Sequence, residues 1–217
     1  MEKISVYFTS LLLFTTLSVY GQDTIPVPRK IKIGADIYGP LYHIYNNKNL
    51  TIEGFLSVDI DTSKAVVLEA GYTNYEFSQY NYDYLNHGMF FRAGLDFNLL
   101  KPETAIGKYY AGVGLRYGLS IFNSETPILK QDNYWGTATG SIPLSSYSAH
   151  FIEASPGIRT EYFGHFEMGW TVRLRFLIYS STGKNLKAVY IPGFGNGAKI
   201  FSPGINYYLI FTIPYKK

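Results

Sequence analysis

Cysteine is absent from all 217 residues, which excludes disulfides, thiolate metal sites and a lipid-acylated cysteine. Charge is scarce: Asp, Glu, Lys and Arg make up 16% of the chain, against about 25% in an ordinary soluble domain. The net charge is only +3 and no basic run occurs, so nothing points to nucleic acid. No stretch approaches the roughly 20 consecutive apolar residues that a spanning helix needs. The run Pro192-Gly193-Phe194-Gly195-Asn196-Gly197 is loop chemistry and not a phosphate cradle, because no helix follows it. His43, His87 and His165 are scattered without ligand spacing, so neither a metal nor a cofactor is expected.

What remains is rich in aromatics and glycine. Hydrophobic residues reach 47% and aromatics 18%, with 21 tyrosines and 21 glycines. Aromatics suit a pleated surface, and glycine marks turns and tight packing, so the composition favours β-structure. The length fits one domain or one small barrel. Lys3, the apolar core from Val6 to Leu17, and the small residues Val19 and Gly21 read as an export leader over 1–21. The mature protein, 22–217, is then expected to start at Gln22, outside the cytoplasm.

Beyond residue 28 the hydropathy alternates with period two. The alternation marks about eight strands, near 30–38, 51–60, 65–75, 88–99, 109–122, 148–161, 166–178 and 203–215. Most approach the 9–11 residues with which a tilted strand crosses a bilayer. Side chains alternate sides along a strand, so each stretch can be sorted by face. The fourth gives Met89, Phe91, Ala93, Leu95, Phe97 and Leu99 against Phe90, Arg92, Gly94, Asp96 and Asn98. The seventh gives Met168, Trp170, Val172, Leu174, Phe176 and Ile178 against Glu167, Gly169, Thr171, Arg173, Arg175 and Leu177. No charge falls on any apolar face.

In a soluble barrel the apolar face would line the inside. Here the polar face carries Lys32, Asp36, Glu53, Asp59, Glu69, Arg92, Asp96, Arg116, Glu153, Arg159, Glu161, Glu167, Arg173 and Arg175, interleaved with glycines. Charges of both signs suit a filled lumen of ion pairs, with glycines leaving room for long side chains. The bulky apolar face would far exceed the few hundred Å² that a soluble monomer exposes. Lipid covers it more simply. The expected fold is therefore all-β: a transmembrane, antiparallel up-and-down barrel of about eight strands. Short connections (61–64, 100–108, 163–165) alternate with longer ones (39–50, 76–87, 123–147, 179–202), the outer-membrane pattern of periplasmic turns and external loops.

The stretches GMFFRAGLDFNLL (88–100), YYAGVGLRYGLSIF (109–122), EASPGIRTEYFGHFEMGWTVRLRFLI (153–178), YIPGFG (190–195) and GINYYLIFTIPY (204–215) resemble an outer-membrane barrel family of Bacteroidota known only as a domain of unknown function. The likeness covers nearly all of the mature chain. It implies the same fold and compartment and supplies no catalytic residue.

Two groups of residues are candidates for a role. Lys32, Asp59, Arg92, Asp96, Arg116, Glu153, Arg159, Glu161, Glu167, Arg173 and Arg175 form an expected interior charge network, either a structural plug or the lining of a pore or anion site. Glu153 should sit high, near Arg173 and Arg175; Lys32 and Asp59 should pair near the base. Tyr80, Tyr82, Tyr84, Tyr134, Trp135, Tyr190 and Phe194 crowd the outer loops, where such aromatics serve either recognition or a membrane-interface girdle. Ser148 and His150 share one outward face and could resemble the pair of an outer-membrane lipid A deacylase. That chemistry needs a third group to orient the base; the neighbouring outward positions Ile121 and Ile178 supply none, although an acid from a loop could. The expectation is a non-enzymatic outer-membrane protein, structural or interacting through its loops. Its partners would be outer-membrane lipid and lipopolysaccharide, with a protein partner at the loops. A lipid-modifying enzyme and a narrow channel are the alternatives.

Overall fold

The computed structural model describes residues 29–100, 108–134, 136–182 and 188–216. The expected leader and Trp135 lie outside them. The strands are β1 (Arg29–Asp36), β2 (Asn49–Asp59), β3 (Lys64–Ser78), β4 (Tyr82–Asn98), β5 (Tyr109–Asn133), β6 (Gly136–Glu161), β7 (Phe166–Ser180), the two-residue β8 (Tyr190–Ile191) and β9 (Gly195–Asn196), and β10 (Phe201–Lys216). One helix, α1 (Tyr38–Tyr45), follows β1. Neighbours in sequence pair antiparallel from β1 to β7, β7 pairs with β10, and β10 returns to β1, closing an eight-stranded barrel. Closure leaves no free sheet edge around the lower barrel.

All eight expected strands are present, and the face assignment holds. Phe90, Arg92 and Asp96 are buried inside, whereas Met89, Phe91 and Leu95 are exposed outside. The outward surface is an apolar belt: Leu95 lies between Val66 of β3 and Leu115 of β5, and Trp170, Ile205, Leu209 and Phe211 continue it. The tight ends of the hairpins lie together at one end, hereafter the base. There Ile60 N–H donates to Lys64 O at 2.9 Å and Tyr162 N–H to Phe166 O at 2.8 Å.

The opposite, outer end differs from the expected plain loops in three respects. First, 123–147 is not a loop: β5 and β6 continue as a hairpin paired to its tip, Asn133 opposite Gly136. Ladder hydrogen bonds hold it, and its mostly polar Ser, Thr, Gly and Asn residues carry no alternating pattern to betray a strand. Second, β1 stops at Asp36, and α1 occupies part of the 39–50 connection. The Asp36 carboxylate accepts the N–H groups of Tyr38 (3.2 Å) and Gly39 (3.3 Å), serving the helix N-terminus in place of a side chain at the cap residue Ile37. Pro40 sits in the first turn, where its missing N–H has no helical partner to lose. Third, the 179–202 connection folds the β8–β9 hairpin back into the barrel mouth.

Candidate functional site: a charged lumen under an apolar plug

The lumen is layered. At its centre Glu53, Glu69 and Glu153 meet Arg92, Arg116, Arg173 and Arg175. Arg173 reaches all three carboxylates, with Glu153 at 2.7 Å, Glu53 at 2.5 Å and Glu69 at 3.0 Å. Arg92 pairs with Glu69 (2.7 Å) and Glu53 (3.0 Å), Arg116 with Glu69 (2.7 Å), and Arg175 with Glu153 (3.2 Å). Tyr208 donates its hydroxyl to Glu53 at 2.8 Å. Below, Asp96 accepts from Arg116 at 3.0 Å and from Arg159. At the base Lys32 pairs with Asp59 (3.0 Å), and Lys30 with Glu161 (2.6 Å) and Glu167 (3.6 Å). The chain thus brings all eleven network candidates onto the inner face and joins each to an opposite charge.

Glu53, Glu69 and Lys30 complete this network and were not among those eleven candidates. Glu53 and Glu69 share the polar parity of their strands, and Lys30 shares that of Lys32. Parity was the signal available for each. Aromatics fill the remaining width: the Phe55 and Tyr208 rings meet edge-on at 5.1 Å, and the Arg159 guanidinium lies 4.2 Å from the Tyr110 ring centre. Among the described residues, two small spaces lie at and below the level of the central charges. One is a cleft of about 60 Å³ at the base, lined among others by Lys30, Asp59, Tyr110 and Arg159. The other, of about 10 Å³ beside Glu69 and Tyr208, has room for a single water.

The mouth is closed by the 188–197 segment. Phe194 and Ile191 are fully buried with Phe122, Ala149, Phe151 and Ala188 in one apolar cluster. Arg92 donates to Gly193 O and Arg175 to Phe194 O, both at 3.0 Å, so two network arginines also hold the plug. Asn86 donates to Tyr190 O at 2.9 Å, and the Tyr190 ring stacks on Tyr75 at 4.3 Å. Gly193 has φ +73°, and a Cβ there would lie 2.4 Å from Phe90. Only glycine fits that approach and that backbone.

These contacts place Tyr84, Tyr190 and Phe194 at the closed mouth, a correction to their expected place in external loops, whether for recognition or for an interface girdle. Tyr84 is buried and its hydroxyl donates to Tyr190 O at 3.3 Å; Phe194 is the centre of the plug. The inward apolar residues Phe122 and Phe151 need a cover, and the loop provides it. Tyr80 and Tyr134 do stand exposed at the outer end, Tyr82 packs on Phe77 with ring centres 5.7 Å apart, and Trp135 is outside the described residues.

On the outer wall, the partner of His150 is Tyr117, whose hydroxyl lies 2.6 Å from Nδ1. Tyr179 flanks the imidazole at 6.0 Å. The Ser148 backbone is engaged instead with Ser181, donating from N–H to Oγ at 2.8 Å.

A family model described as "Domain of unknown function (DUF6048)" matches residues 3–217. No curated protein matches the chain. Among solved structures, Ail, the attachment invasion locus protein of Yersinia pestis, is 8% identical, with 87% of this chain and 99% of that one covered at a TM-score of 0.42. CarO of Acinetobacter baumannii is 13% identical, with 90% and 100% covered at 0.40. The β-barrel domain of Pseudomonas aeruginosa OprF is 8% identical, with 85% and 97% covered at 0.37. At scores this low, function has to be argued from the chain's own residues.

Proposed function

The chain belongs to that family of unknown function, and from this premise we propose that it is a non-enzymatic, integral outer-membrane barrel with a sealed lumen. It acts as a rigid wall element that meets partners through its outer hairpin. The observation that carries the reading is the inverted distribution of polarity. Arg92, Asp96, Glu153 and Arg173 are all at most 3% exposed, while Met89, Ile121, Ile178 and Ile205 on the same strands or their neighbours are more than half exposed. Water would reverse that arrangement, whereas lipid favours it, because a cation on the lipid face costs about 2–4 kcal/mol at mid-bilayer. A closed barrel also pairs its backbone internally, as lipid requires.

Export by a leader ending at Gly21 belongs to the same proposal, as does a source among the Bacteroidota, which makes lipopolysaccharide an outer-leaflet neighbour. Tyr80, Tyr82 and Tyr134 supply aromatic contact at the outer end, where a protein partner would dock. The Tyr117–His150 pair reads as an interface girdle, since a phenol takes the place where a deacylase would need a carboxylate. The test is to separate outer from inner membranes by density and treat intact cells with protease. The protein should sediment with outer membranes and be cut in the 123–147 hairpin without losing its barrel fragment. Recovery in the soluble fraction would overturn the proposal, and an altered lipid A profile in a deletion strain would overturn its non-enzymatic part.

A further inference from the structure

The barrel wall is not built of strands all the way round. β1 ends with Ala35 opposite Gly54 of β2 and Asp36 opposite Tyr208 of β10. Above that level, residues 201–207 of β10 pair with β7 and residues 49–53 of β2 pair with β3, and among the described residues neither run has a strand on its other side. α1 packs beside those two runs, against both β2 and β10.

The helix is fitted to both edges. On the β2 side, the His43 ring contacts the Asn49 carbonyl at 3.1 Å. A carbonyl only accepts, so Nδ1 carries the proton and donates. Gly39 presses on the next edge carbonyl so closely that a Cβ would lie 2.2 Å from Thr51 O. On the β10 side, Ile37 N–H donates to Tyr207 O at 2.9 Å, and Tyr207 N–H donates to the Asp36 carboxylate at 3.1 Å. The same carboxylate accepts the first N–H groups of the helix, so one side chain joins strand edge to helix start. Pro203 lies in the open run of β10, where a missing ladder donor is tolerated.

Among the described residues nothing covers the other side of α1. Leu41 is 58% exposed, Ile44 77% and Tyr45 90%, and the segment Tyr38–Tyr45 contains no Asp, Glu, Lys or Arg. Its flanking neighbours Ile52 and Ile205 point outward as members of the apolar belt. A helix satisfies its own backbone, which an irregular loop facing hydrocarbon could not do.

We propose that α1 is a membrane-embedded part of the barrel wall, lying in the outer leaflet with Leu41 and Ile44 against acyl chains and Tyr45 at the headgroups. The partner of this surface is lipid, and the inference rests on the membrane reading above. Because the native chain lacks cysteine, single cysteines can be labelled cleanly. Ile44→Cys and Leu41→Cys would carry a nitroxide in the full barrel folded into phosphatidylcholine–phosphatidylglycerol vesicles. Leu95→Cys serves as the belt reference and Tyr134→Cys as the aqueous one. Collision with oxygen relative to a water-soluble nickel chelate should be several-fold higher at positions 41 and 44 than at 134, matching position 95. A value matching position 134, with 95 still in lipid, would overturn the inference and leave the barrel standing. A label at 44 reached by neither reagent would also overturn it, since protein would then cover the helix. An aqueous value at position 95 would remove the membrane reading itself.

Discussion

Glu69→Gln perturbs the lumen with little change of shape, and the direction of its effect follows from a charge count. The central cluster, counted with the Asp96–Arg159 layer to which Arg116 joins it, holds five guanidiniums (Arg92, Arg116, Arg159, Arg173, Arg175) against four carboxylates (Glu53, Glu69, Asp96, Glu153), a surplus of one positive charge within that ion-paired set. The substitution doubles that surplus. It also removes ionic contacts to Arg92 (2.7 Å), Arg116 (2.7 Å) and Arg173 (3.0 Å) at once. Breaking a buried ion pair from one side costs about 3–5 kcal/mol, because the orphaned charge stays out of water. The amide keeps the carboxylate's volume, so no cavity adds to this. Urea titration of vesicle-folded protein, followed by tryptophan fluorescence, should show a loss of that size. Adding Arg116→Met restores the original charge surplus, while Asp96 keeps Arg159; the pair should couple by about 0.5–3 kcal/mol. A loss below about 1 kcal/mol, typical of exposed pairs, would refute the reasoning, since it would mean that water already screens the lumen.

Other outcomes follow from the same geometry. Leu95→Arg puts a cation on the lipid face between Val66 and Leu115; it should cost about 2–4 kcal/mol in the same titration, and wild-type stability would contradict the outward assignment of β4. Gly193→Val meets both the φ of +73° and the Phe90 ring. Overpacking of this kind costs about 1–3 kcal/mol, so the plug should unseat and chymotrypsin should cut at Phe194 far faster than in wild type; equal rates would mean the seat does not hold the loop. N-terminal sequencing of membrane-extracted protein should begin at Gln22, and a start at Met1 would exclude export by this leader.

The strands and their faces were legible because each buries one side, so alternation had to appear in the sequence. The same parity located the charges, including the pairing of Lys32 with Asp59 and the height of Glu153 beside Arg173 and Arg175. The sequence signal is lost where alternation stops or contacts are remote. The outer halves of β5 and β6 bear polar residues on both faces, so Ser, Thr and Asn there read as loop. YGPLYHIY gives no clear helical stripe, because Gly39 and His43 face the wall while most of the rest points away. The plug is held by Arg92 across 101 positions to Gly193, a distance over which no local pattern can act. One indirect sign existed: Phe122 and Phe151 are apolar residues on the inner face of the outer strand halves, beyond the charges, and call for an apolar cover.

The claim at the centre of the account is a sealed lumen. Eight strands leave an interior that side chains can fill, and here paired charges, aromatic rings and the Phe194 plug occupy it, with inner spaces of about 60 and 10 Å³. Planar-bilayer recording on the folded, full-length barrel tests this most directly. The account predicts no steady conductance under either polarity of applied voltage. Reproducible, ion-selective current steps that persist with time would contradict it and would make Arg173 and Arg175 pore-lining residues.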